Sequence, residues 1–118
     1  MSRFLKFIIP GHRSHHSQVI DEKKVLKKQR YDAEVQRILD DNCTVVFSKS
    51  WCKVCDSVKA RLRQQNIHYH VVEIDRRRDG RQIQKALIRR TKQRTVPVVF
   101  ISRKFRTVTE VKRLGDTI

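Results

Sequence analysis

The sequence predicts an α/β domain with a small central mixed four-stranded sheet and helices on both faces. Short apolar runs rich in β-branched residues recur at 43–47, 67–74 and 98–101, and segments with apolar residues three and four apart lie between them. Parallel strands need such crossover helices to connect them, so the alternation itself selects a layered α/β arrangement. The 118 residues suit one hydrophobic core of ordinary domain size.

Residues 1–30 read as a basic N-terminal extension and residues 31–118 as the folded domain. The first twenty residues lack periodicity, and Pro10-Gly11 followed by Ser and His reads as a flexible arm. From Asp21 the chain is charged and helix-favouring, with Tyr31, Val35, Ile38 and Leu39 on one face and Asn42 placed to end the helix. Residues 43–47 are continuously apolar apart from Thr44, as in a central strand covered on both sides. Cys55, Val58 and Leu62 then form the inward stripe of a helix whose Lys59, Arg61 and Arg63 face water. Ile67, Tyr69 and Val71 alternate with His68 and His70 and lead through Val72 and Ile74 to Asp75, which makes a second strand. Asp79 opens another helix; Gln82 completes a capping-box spacing and Ile83, Ala86 and Leu87 supply the buried face. Val98-Val99-Phe100-Ile101 is the third strand, and Lys104-Phe105-Arg106 returns as the fourth after a tight turn at Ser102-Arg103.

A formal charge of +16 favours acidic protein surfaces, nucleic acid or anionic lipid as partners. The basic clusters Arg76-Arg77-Arg78, Arg89-Arg90 and Arg103-Lys104 sit at the ends of predicted elements and read as solvated decoration. No aromatic-interleaved pattern of an RNA-binding sheet accompanies them, so nucleic acid is not the expected partner. No apolar run approaches the roughly 20 residues a membrane helix needs. Three cysteines without a secretory pattern do not form a stapling framework, which points to a reducing compartment. Cytoplasm is the first expectation for location. The first twenty residues, with Arg3, Lys6 and Arg13 but no acid, also fit a mitochondrial import presequence.

The chemistry centres on Trp51-Cys52-Lys53-Val54-Cys55. Two thiols three positions apart, where a strand hands over to a helix, can close a disulfide and reopen it. A thiol at a helix N-terminus meets unpaired backbone N–H groups and the positive end of the helix dipole, both of which favour the ionised form. Cys52 occupies that place, with Lys49 and Lys53 adding positive charge, and is assigned as the nucleophile. Cys55, one turn on and facing inward, is assigned to resolve the mixed disulfide. Cys43 opens an apolar strand and reads as a small buried hydrophobe. The competing structure is a zinc site completed by Cys43 and His68 or His70. The strand-to-helix position behind Trp51 favours redox chemistry, and no metal is expected. His12, His15 and His16 have no partner acids and read as tail composition.

These residues resemble the glutaredoxin family. Val45-Val46-Phe47-Ser48-Lys49-Ser50-Trp51-Cys52 with Cys55, Val72-Glu73-Ile74-Asp75, Asp79-Gly80, Ile83-Gln84, Ala86-Leu87 and Thr91-Lys92-Gln93-Arg94-Thr95-Val96-Pro97 match it in order and spacing, over roughly residues 31–106. The resemblance implies a thioredoxin-like fold with Pro97 cis. It also implies glutathione bound in a groove lined by Thr95, Val96 and Pro97. There Val96 offers its backbone to the cysteinyl part, and Lys49 and Gln93 meet the glycine carboxylate.

The departures are specific. Lys53 and Val54 stand where dithiol members commonly carry Pro and Tyr, and Val98 where Asn is frequent. The family's Gly-Gly and acidic pair, which should hold the γ-glutamyl end, are replaced by Thr107-Val108-Thr109-Glu110, with Glu110 the residue left to stand in for the acid. Arg103 replaces a hairpin glycine and Lys92 the glycine that would end the preceding helix, so strained turns are expected. A short stretch after Gly115 predicts a thinly covered sheet face and marginal stability.

The expected activity is glutathione-dependent thiol–disulfide oxidoreduction, with disulfide-containing proteins and glutathione as partners and glutathione as reductant. Two alternatives accompany it. One is a weak or inactive adaptor for acidic partners; the other is a carrier of a glutathione-bridged [2Fe-2S] cluster, which the resemblance to members lacking the active-site Pro implies.

Overall fold

In the computed structural model, residues 12–116 are described, with side chains described from Asp21 onward. The elements are α1 (His12–Asp41), β1 (Val45–Ser48), α2 (Lys53–Gln64), β2 (His70–Glu73), a 3₁₀ turn (Ile74–Arg76), α3 (Gly80–Thr91), β3 (Val98–Ile101), β4 (Lys104–Arg106) and α4 (Val108–Lys112). The chain divides into two compact units between Arg30 and Tyr31. Helical backbone begins at His12 and not at Asp21, because neither Pro nor Gly occurs between His12 and Asp41 to break it. The flexible arm expected for residues 1–30 therefore lies partly outside the described residues and is otherwise helical.

In the unit from Tyr31 onward, the strands order as β2-β1-β3-β4. β1 pairs parallel with β2 and antiparallel with β3, and β3 pairs antiparallel with β4. The sheet is mixed, as the sequence predicts. Alternation along β1 and β3 sends Val45, Phe47, Val98 and Phe100 to one face. There they pack with Val35, Ile38 and Leu39 of α1 and Ile83, Ala86 and Leu87 of α3. Phe47 and Phe100 meet edge to face, 6.1 Å between centroids at 80°. Val46 and Val99 point the other way, against Val58 and Leu62 of α2 and Val111 of α4. Burying each such side chain contributes about 1.5–3 kcal/mol, so both helical layers are held chiefly by this burial.

The second face is better covered than the short α4 suggested. Val111 is fully buried, and Arg61 of α2 donates from Nε to the Lys112 carbonyl at 3.0 Å and from Nη2 to Asp116 at 3.2 Å. An arginine from one helix thus satisfies a carbonyl at the end of the other.

Three sequence expectations are corrected. Cys43 is exposed, because β1 begins two residues later, at Val45, and Cys43 lies in the preceding turn, where its carbonyl accepts from Arg103 N–H at 3.0 Å. Asp79 occupies the N-cap of α3 but does not cap it. Its carboxylate accepts from Arg77 Nε at 2.8 Å and Nη2 at 3.0 Å instead, and a paired guanidinium outcompetes a backbone N–H for it. Lys59, expected to face water, is largely covered and paired with Glu73.

The two turns that lack glycine do adopt left-handed backbone. Ser102 and Arg103 have φ of 52° and 65°, the two positive values of a type I′ hairpin. Arg103 offsets that cost with its side chain, donating from Nε to Leu39 O and from Nη2 to Asp40 O, each at 3.1 Å, and so capping the end of α1. Lys92 ends α3 with φ of 68°. Lys92→Gly should stabilise the protein by about 0.5–1 kcal/mol, the left-handed penalty less the entropy glycine adds to the unfolded chain. A chemical-denaturation midpoint that falls in this variant would contradict the assignment.

Candidate active site

Strand directions bring the site together. β1 and β2 run parallel, so their C-terminal ends coincide, and Ser48 pairs with Glu73. β3 runs the other way with Phe47 opposite Val98, which places Pro97 beside Ser48 by continuation of the register. β4 returns antiparallel to β3, delivering Thr107 to that same end. One end of the sheet therefore carries the loop from Lys49 to Cys52, the segment Thr95 to Pro97, and the start of α4. Cys43 and His70 lie at the opposite end of β1, beside Val45, so the alternative zinc set is not assembled.

Cys52 is the N-cap of α2, with extended backbone at φ −98° and ψ 117°, and its Sγ accepts the Cys55 backbone N–H at 3.2 Å. Cys52 is partly exposed and Cys55 fully buried. The sulfur therefore has a backbone donor aimed at it from the first turn of α2. Burial pushes the Cys55 thiol up to about 12, and its hydrogen bond with Cys52 acts in the same direction. Cys55 thus stays a thiol that donates to its neighbour, and the two sulfurs are differentiated by position alone.

The loop before Cys52 is held from the side. Ser50 donates through its backbone N–H to Asp75 Oδ1 at 3.0 Å and through its hydroxyl to Oδ2. The Ser50 hydroxyl bond is the largest cause holding the Asp75 carboxyl below its ordinary 3.8. Lys49 Nζ lies 5.6 Å from the centroid of Trp51, whose ring is exposed, and Val54 is exposed on the opposite side of Cys52 in sequence. The accessible sulfur therefore has an aromatic and an aliphatic neighbour along the chain.

The remaining predicted residues are present but partly engaged. The Val96-Pro97 peptide is cis, as the resemblance implies. Gln93 donates from Nε2 to Thr95 O at 3.0 Å and to Pro97 O at 2.6 Å, so its amide nitrogen stabilises this loop. Glu110 closes a capping box with Thr107. Oε1 accepts the Thr107 N–H at 2.8 Å, the Glu110 N–H donates to Thr107 Oγ1 at 3.2 Å, and the first of these bonds is the main cause lowering the Glu110 carboxyl.

Sequence reasoning missed the group behind the cysteines. The Ser48 hydroxyl donates to Glu73 Oε1, and Lys59 Nζ reaches Glu73 Oε2 at 3.1 Å. A visible signal was the parallel register that puts the acid of Val72-Glu73-Ile74-Asp75 opposite Ser48, but register is a property of the fold and not of either segment.

Asp75 and Glu110 make an acid-dependent contribution with a definite sign. Both carboxyls sit below their ordinary 3.8 and 4.5 in the folded state, so their stabilisation is present above those values and disappears as pH falls through the lower folded ones. Tm should be flat from neutrality to about pH 5 and fall below about pH 4, with a smaller fall in the Asp75→Asn, Glu110→Gln double variant. Identical acid profiles for the two proteins would contradict this.

A cysteine pair at the start of the first helix after a central strand, with a cis-proline segment at the same sheet end, defines a thioredoxin-like fold built for thiol chemistry. The sequence profile of the Glutaredoxin family matches residues 44–106, more than half of the chain. This chain belongs to the glutaredoxin family. It is 48% identical over 71 residues to a glutaredoxin of Ricinus communis, an alignment covering 60% of this chain and 70% of that one. It is 40% identical over 72 residues to human mitochondrial glutaredoxin-2, covering 61% of this chain and 44% of the relative. The chain thus spans about half the length of the mitochondrial relatives it matches. Among solved structures, a buckwheat glutaredoxin–glutathione complex is similar with TM-score 0.71 and 35% identity, covering 76% of this chain and 84% of that one. The holo form of poplar glutaredoxin C1 is similar with TM-score 0.72 and 33% identity, covering 77% and 84%.

Proposed function

We propose that this protein is a glutathione-dependent thiol–disulfide oxidoreductase acting on glutathione mixed disulfides and protein disulfides. The observation that carries the reading is the asymmetric pair. A partly exposed sulfur accepts a backbone N–H at the helix start, and a buried thiol sits one turn beneath it. Cys52 thiolate attacks the substrate disulfide, forming a Cys52 mixed disulfide and releasing a thiolate. Cys55 then displaces the bound group, and two glutathione molecules reduce the Cys52–Cys55 disulfide, leaving oxidised glutathione. Where the bound group is glutathione itself, a second glutathione can displace it directly, without Cys55.

Glutathione recognition is supported by the glutathione complex of the buckwheat relative and by the placement of Lys49, Thr95, Val96 and Pro97 at one sheet end. The start of α4 is less suited. Thr107 and Val108 replace glycines, and Glu110 is committed to its own helix cap. Losing two hydrogen bonds to charged groups, each about 1.5–3 kcal/mol, would weaken glutathione about 10²- to 10⁴-fold. That engagement of Glu110 favours a second reading, an adaptor whose cationic surface holds acidic partners. Purified protein turning over a glutathione mixed disulfide supports the enzyme; an intact fold with no turnover and salt-sensitive binding of acidic protein supports the adaptor.

A reducing compartment, cytoplasmic or mitochondrial, suits this chemistry, and several relatives, the human one among them, are named as mitochondrial proteins. No helix among the described residues is long and apolar enough to cross a membrane.

A further inference from the structure

The resolving step poses a chemical problem that the cysteine pair does not solve by itself. Cys55 must lose a proton to attack, yet it is buried, and burial penalises its thiolate. Within its surroundings, the cations are the ones to examine. On α2, Cys55 is flanked by Cys52 and, one turn on, by Lys59; the loop from β1 contributes Lys49; β2 contributes Glu73, and Asp75 beyond it is occupied with Ser50. Thr95, Val96 and Pro97 bring no charge.

Lys59 is the cation whose position is fixed. Its side chain is only 14% exposed, and Nζ donates to Glu73 Oε2 at 3.1 Å. Glu73 is itself anchored through Oε1 by the hydroxyl of Ser48, which is fully buried in the strand leading to the cysteine loop. Residues four apart on a helix are neighbours on one face, so this arrangement holds an ammonium on the Cys55 side of α2. A lysine stem on a helix surface ordinarily reaches for water; this one is retained in the protein by a buried serine and a carboxylate.

We infer that Lys59, tethered by Glu73 and Ser48, is a positioning residue for the resolving step, holding positive charge where the Cys55 sulfur becomes anionic. The inference rests on the oxidoreductase reading above. In the step it serves, a bond forms between Cys55 Sγ and Cys52 Sγ, the bond between Cys52 and glutathione breaks, and the proton lost from Cys55 ends on the departing glutathione sulfur. Two electrons pass from the Cys55 thiolate to the glutathione sulfur, and no further reductant is needed. Burial and the bond to Cys52 raise the Cys55 thiol; a hydrogen bond with the Lys49 backbone lowers it, and the Lys59 charge acts in that same lowering direction.

The test uses the full chain loaded with glutathione on Cys52 and follows glutathione release by rapid-quench mass spectrometry as a function of pH. Wild type should release glutathione with a rate that rises with pH to a midpoint. Lys59→Met should move that midpoint up by about one pH unit and slow release about tenfold near neutrality, and Lys59→Arg should restore both. A packing role alone would alter Tm and leave the midpoint in place. Release from Lys59→Met with the wild-type midpoint and rate overturns the inference while leaving the oxidoreductase reading intact. A wild-type adduct that holds its glutathione at every pH removes the resolving role of Cys55 and the inference with it.

Discussion

Cys52→Ser should lower turnover of a glutathione mixed disulfide by at least about 10³-fold, because a hydroxyl at the helix start remains protonated where a thiol ionises. The substitution changes one atom, keeps an N-capping side chain and should leave the unfolding free energy within about 1 kcal/mol of wild type. Loss of rate with an intact fold is therefore a statement about the nucleophile. Cys55→Ser should behave differently. It keeps the accessible sulfur, so it should still exchange glutathione on single mixed disulfides while losing reduction of intramolecular protein disulfides. Equal loss in both variants would mean that Cys55 does more than resolve.

Gly80→Ala should sharply lower the stability of the fold. A Cβ on Gly80 would lie 2.0 Å from the Ile74 carbonyl oxygen and 3.0 Å from Ile74 Cγ2. The first neighbour is backbone and cannot rotate away, so α3 or the 3₁₀ turn must shift. Overpacking of this kind costs about 2–3 kcal/mol, a large part of the roughly 5–15 kcal/mol that holds a domain together. At about 4–8 °C per kcal/mol, Tm should drop roughly 10–20 °C. The same shift has a functional consequence. The turn after Ile74 carries Asp75, whose carboxylate fixes Ser50 two residues before Cys52. Activity should therefore decline at temperatures where the variant is still folded. A Gly80→Ala protein with unchanged Tm would show that α3 is not pressed against Ile74.

Much of this architecture was legible in the residues because local and global preferences agree. Residues 45–48 are apolar and β-branched apart from Phe47 and Ser48, and they form a strand buried on both faces by the helical layers. The helix stripe of Cys55, Val58 and Leu62 is the buried stripe. The position of Cys52 at the start of a helix was readable because sequence pattern supplies that address. What could not be read depends on competition between partners. Asp79 and Gln82 have a capping-box spacing, but Arg77 takes the carboxylate, and no spacing rule ranks a guanidinium against an N–H. Glu110 was placed toward a ligand, and the fold uses it to close the turn that Thr107 opens. Lys59 reads as a water-facing lysine until parallel pairing of β1 and β2 sets Glu73 within its reach. Cys43 reads as core until the strand begins two residues late. Arg77 and Thr107 are near neighbours in sequence and Glu73 a distant one, so what decides each case is which of several partners wins the group.

The central claim, that Cys52 is the accessible nucleophile and Cys55 the buried thiol behind it, is tested most directly by peptide mapping. The Cys55→Ser protein, which traps the first adduct, would be treated with oxidised glutathione at neutral pH and the modified cysteine located by mass spectrometry. The account predicts one glutathione on Cys52, formed well before any on the exposed Cys43. Modification of Cys43 alone, with Cys52 untouched, would contradict it.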